Sequence, residues 1–90
     1  MSTIYRQKSH NYGKEAACKI AEELADNLAG KYDLSCHWDE NHLHFSRMGA
    51  NGVIIVDDEH VEVQVKLSFL LMAIAPAVES EIDEYLNSHF

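Results

Sequence analysis

The sequence predicts an α+β fold: an antiparallel sheet of four or five strands, in the order β-α-β-β-β-β-α, with two helices on one face. Three observations carry this. Apolar residues recur at helical spacing between Lys14 and Ala29. They alternate with polar residues from Leu34 to Leu67, and return to helical spacing from Leu71 onward. Ninety residues form a single domain, residues 1–90, which buries only about 60–65% of the surface its unfolded chain exposes. Such a chain closes one core and leaves little room for a deep private cavity, so function is expected at surfaces and interfaces.

Residues 2–8 alternate poorly and are expected to give a short first strand. Between Lys14 and Ala29, the residues Ala17, Ile20, Ala21, Leu24 and Leu28 fall on one helical stripe, with Glu22, Glu23 and Asp26 off it. Asn11 is the expected cap, and Gly30 the expected left-handed residue just past the end. Leu34, Cys36 and Trp38 then alternate with Ser35, His37 and Asp39. After a two-residue turn at Glu40-Asn41, Leu43 and Phe45 alternate with His42, His44 and Ser46. A loop at Gly49-Ala50-Asn51-Gly52 leads to a strand, Val53–Val56, and the turn Asp57-Asp58-Glu59 leads to the next. In that strand Val61, Val63, Val65 and Leu67 face one way, and Glu62, Gln64 and Lys66 the other. Leu71, Ala75, Val78, Ile82 and Tyr85 share the face of a final helix. Pro76 either kinks one long helix or opens a helix that follows a turn at Phe69–Ala73.

Composition narrows the function classes. Apolar residues make up 47% of the chain, too many for disorder. The net charge is −8, distributed as about +3 over residues 1–19 and −11 beyond, which disfavours a nucleic-acid partner. Two cysteines without CxxC spacing make neither a disulfide framework nor a zinc site, and they point to a reducing cytoplasm. The first ten residues lack the pattern of a secretion signal. The longest apolar run, Phe69–Ala75, is far short of the roughly 20 residues of a membrane span.

Few residues offer chemistry. If Glu40-Asn41 is the turn, Asp39 lies opposite His42, and His37 opposite His44. The four form an outward cluster that could hold zinc or copper, but the spacing has no metal signature, and a solvated polar face is the simpler reading. Cys36 and His37 are strand neighbours that point to opposite faces, so they cannot form a nucleophile pair. Cys36 is expected in the core beside Trp38, with Cys18 at the edge of the first helix's stripe. No catalytic residue, cofactor or metal is therefore assigned. The informative departures are apolar. Placing the turn at Asp58-Glu59 sends Val53 and Ile55 outward, and a helix burying one stripe cannot hide Phe69, Leu70, Leu71, Met72 and Ile74 together. Val53, Ile55, Phe69, Leu70 and Met72 are the candidate contact surface.

The segments HLHFSR and GANG, the strand-and-turn run VEVQVKLSFLL, and the opening SHNYGKEAA with its helix resemble the polyhydroxyalkanoic acid system proteins. The resemblance spans nearly the whole chain and rests on core pattern and turns; Pro76 is its main departure. It implies a setting in storage-polyester metabolism and carries no catalytic residues. The expected function is a non-enzymatic accessory protein that binds the granule surface or a granule protein, or pairs as a homodimer. The alternative is a carrier that holds a hydroxyacyl chain between sheet and helices, lined by Trp38, Phe45 and Phe69.

Overall fold

Five strands form one sheet, and Ile4, Leu43, Phe45, Ile54, Val56, Val61, Val63, Val65 and Leu67 bury on the same face of it. The computed structural model describes residues 2–90. The strands are β1 (Ser2–Ser9), β2 (Ser35–Asp39), β3 (His42–Arg47), β4 (Ala50–Val56) and β5 (His60–Leu67). All pairings are antiparallel, in the spatial order β1-β5-β4-β3-β2, so the expected first strand is present and completes a five-stranded sheet. Two helices, α1 (Lys14–Tyr32) and α2 (Ala75–His89), cover the apolar face, α1 over β2, β3 and β4, and α2 against β1. Between them Ile4, Leu43, Phe45, Ile54, Val56, Val61, Val63, Val65 and Leu67 meet Ala17, Ala21, Leu24, Leu28, Val78, Ile82 and Leu86 in one core. Among the described residues the opposite face of the sheet carries no helix.

The ends of α1 differ from expectation. Gly13, with φ 84°, stands at its N-terminus rather than Asn11, and no side chain caps it. The helix runs through Gly30 to Tyr32, and Asp33 takes the left-handed position at φ 59°. The extra turn brings Tyr32 against the core, and Arg47 Nη1 donates to its carbonyl at 2.9 Å. Ala25 is buried on the α1 stripe, whereas Ile20 is only half-buried.

The loop expected at 49–52 contracts to a turn at Met48-Gly49, and Ala50–Gly52 belongs to β4. Gly49 supplies φ 88°, while Gly52 is a strand residue over which the Phe45 ring lies, opposite it in the ladder. Pro76 opens α2 rather than kinking a longer helix. The preceding Phe69–Ile74 is a 3-10 turn, closed by Ala75 N–H donating to the Met72 carbonyl. Arg6 on β1 reaches both Asp83 (Nε–Oδ1, 2.6 Å) and Glu79 of α2, which fastens the last helix to the edge strand. Between the helices, Tyr85 donates to Glu23 at 2.8 Å; burial, then the bond to this carboxylate, pushes its pKa up to about 12.

Candidate contact surfaces

Register places the residues of the helix-free face in rows across the sheet. One row runs His37, His44, Val53, Gln64, Tyr5, and the next Asp39, His42, Ile55, Glu62, Gln7. Val53 and Ile55 are thus at the centre of the open face, on the middle strand, and both are half-buried by their row neighbours. On one side of them the imidazoles stack, His37 on His44 with centroids 5.2 Å apart and His42 on His44 at 6.1 Å. Among the described residues no group of three or more side chains is arranged to hold a metal ion, because these rings lie face to face instead of converging. On the other side Glu62 accepts from Tyr5 Oη at 2.6 Å and from Gln64 Nε2 at 2.9 Å. The bond from Tyr5, then that from Gln64, holds Glu62 below the usual carboxylate range.

A second apolar surface lies at one end of the strands. The Met48-Gly49 turn meets the start of the 3-10 turn, where Ser68 N–H donates to the Gly49 carbonyl at 2.8 Å. Met48 is 81% exposed, Phe69 87% and Leu70 66%, and Met72 is exposed beside them, while Leu71 and Ile74 pack against the core. The 3-10 geometry sends alternate parts of this apolar run outward and inward. Leu71 and Ile74 close a narrow apolar crevice lined also by Leu28, Tyr32, Phe45 and Val78. Arg47 and Lys66 flank this tip. At the opposite end of the strands, the turns carry Glu40 and Asp57, Asp58 and Glu59, joined where Val56 N–H donates to the Asn41 carbonyl at 3.0 Å. The candidate residues therefore belong to two surfaces: Val53 and Ile55 to the open face, and Phe69, Leu70 and Met72 to the tip.

Met48 adds a fourth large apolar side chain to Phe69, Leu70 and Met72, outside any helical or strand period. The signal was a large apolar side chain directly before Gly49, legible only once the turn is shortened to two residues. Cys36 does not fill the core beside Trp38. It points toward the helical layer but is exposed, because β2 is an edge strand that α1 only partly overlaps. Trp38 on the same strand is half-buried for the same reason. Burial pushes both thiols, Cys18 and Cys36, above their ordinary range, with neighbouring Asp26 adding to the effect at Cys36. Thiols of that kind stay protonated near neutrality and are poor nucleophiles. The lining imagined for a carrier is also dispersed: Phe45 is core, Phe69 is at the tip, and Trp38 sits over a groove with Lys14 and Lys19.

Among the described residues no helix is long and apolar enough to cross a membrane. A family model described as "Putative polyhydroxyalkanoic acid system protein" matches residues 4–90. No curated protein and no solved structure matches the chain.

Proposed function

We propose that this chain, which belongs to the polyhydroxyalkanoic acid system family, is a non-enzymatic accessory protein of cytoplasmic polyester storage that docks on the granule. The observation that carries this reading is the tip, where Met48, Phe69, Leu70 and Met72 stand exposed together while the acidic turns lie at the far end of the strands. Single exposed apolar residues are ordinary on a protein surface. Four large ones exposed near one end of the strands support a contact role for that end. A polyester surface, or an apolar patch on a granule protein, offers what such a tip would bury, at roughly 25 cal/mol for each Å² of apolar surface removed from water. Two thiols whose pKa burial pushes up support a binding role over a thiolate nucleophile.

Fractionation of cells that accumulate polyester tests the reading. The wild type is expected to sediment with the granules, and the Phe69→Ser/Leu70→Ser variant to stay in the supernatant with unchanged circular dichroism. A wild type absent from the granule fraction, or a folded double variant that still sediments, would refute it.

A further inference from the structure

The open face of the sheet has a symmetry of its own. β4 is the middle strand of five and carries the apolar pair Val53 and Ile55. The histidines lie on the β3–β2 side, and Glu62, Gln64 and Tyr5 on the β5–β1 side. A two-fold axis lying between two facing sheets and running along β4 exchanges β3 with β5 and β2 with β1. His42 and Glu62 both stand in the row of Ile55, so this operation sets His42 of one copy over Glu62 of the other, and His44 over Gln64. Val53 and Ile55 meet their own counterparts near the axis. The alternative axis, across the strands, lays the histidine half upon itself and brings like groups together. We infer that the open face is an isologous homodimer interface, with Val53 and Ile55 at its centre and His42 paired to Glu62 of the second copy.

The scale fits a weak, reversible dimer. Five strands at about 4.8 Å spacing, with about 3.3 Å per residue, give a face on the order of 500 Å² in projection. Standard interfaces bury about 800 Å² per partner, so this face falls in the small-size class of transient assemblies. Facing sheets pack about 10 Å apart with their strands nearly aligned, which keeps the row-on-row matches near the axis. The ionisable groups on the face are Tyr5, His37, Asp39, His42, His44, His60, Glu62 and Lys66, and no helix packs over them. A protonated His42 places positive charge over Glu62, whose two hydrogen bonds favour its ionised form, so association strengthens as pH falls. An axis along the strands also leaves both apolar tips at the same end of the dimer. If the granule reading holds, the two tips reach one surface together; the interface itself does not depend on that reading.

Sedimentation equilibrium of the full chain at about pH 8 and about pH 6 tests this. The dissociation constant is expected to fall about a hundredfold across that interval, about tenfold for each of the two symmetry-related His42–Glu62 pairs. Glu62→Gln should remove the pH dependence, and Ile55→Lys, checked for folding by circular dichroism, should be monomeric. Phe69→Ser, at the tip, should leave the dimer intact. A second measurement covers the case of an Ile55→Lys chain that does not fold. In a Cys18→Ser/Cys36→Ser background, Ile55→Cys should be captured as a covalent dimer by a short bis-maleimide, and Phe69→Cys should not. A monomer at all concentrations, a folded Ile55→Lys dimer, or capture through position 69 but not 55 would overturn the inference. None of these outcomes depends on granules, so failure here is distinct from failure to sediment with them.

Discussion

A Cβ at position 52 would drive into the Phe45 ring and come within 3.0 Å of the Gln64 carbonyl oxygen, so a glycine in mid-strand is what lets an aromatic lie across β4. Gly52→Ala is expected to cost about 1–3 kcal/mol in urea unfolding, as overpacking does, and less in a Phe45→Leu background. Turn chemistry acts at the same scale. Asp57 Oδ1 accepts from the backbone N–H of Glu59 at 2.9 Å and of His60 at 2.6 Å, and these bonds hold its carboxyl below the ordinary value of 3.8. A depressed folded-state pKa contributes stability that is fully present above the unfolded value and lost as pH falls through the folded one. Asp57→Asn keeps an acceptor without the charge. Its stability deficit should be constant near neutrality and close only as pH drops below about 3.8, which thermal melts across the acid range would read.

Pro76 does more than begin a helix. Continuing α geometry backward through Phe69–Ile74 would need an N–H at position 76 to reach the Met72 carbonyl, and proline has none. The run is therefore wound as 3-10, at about 120° per residue rather than about 100°, a difference of roughly 120° over six residues. That offset decides which side chains of the run face outward. Pro76→Ala should let this stretch wind as α-helix, visible in the backbone carbon shifts of residues 69–74, and should weaken granule association while the fold persists. An unchanged 3-10 signature in that variant would assign the geometry to packing of Leu71 and Ile74 instead. Elements with a clear period were legible in the sequence: both helical stripes, the Glu40-Asn41 hairpin, and the inward set of β5. What was not legible depends on partners distant in the chain. Gly30 has the chemistry of a helix end, yet Tyr32 gains core contacts and the Arg47 bond by adding a turn. Gly49–Gly52 has the composition of a loop, and only the Phe45 ring across the ladder explains a glycine within a strand. The alternation that pointed Cys36 inward was correct in direction. Its exposure follows from β2 being an edge, and strand order is absent from local pattern.

At the scale of the whole molecule, charge and apolar surface are separated along the strands. Of the net −8, Glu40, Asp57, Asp58 and Glu59 lie in the turns at one end, and α2 adds Glu79, Glu81, Asp83 and Glu84 without a lysine or arginine. The exposed apolar tip is at the other end, flanked by Arg47 and Lys66. A protein adsorbed by its tip would thus present acidic turns to water and give the particle a negative surface. Repulsion between such particles is screened over about 8 Å at physiological ionic strength and about 3 Å at 1 M, so the coat should disperse particles in dilute salt and fail in concentrated salt. Adsorption itself, driven by apolar burial, should survive the same change. Polyester particles coated with the wild type are expected to show a negative zeta potential and to remain dispersed in dilute buffer. The variant Asp57→Asn/Asp58→Asn/Glu59→Gln should adsorb equally well but disperse them less, because it alters only the outward end. Phe69→Ser/Leu70→Ser should fail at the first step and leave the particles bare. A triple variant that lost adsorption while remaining folded would show that the acidic turns, rather than the tip, face the granule.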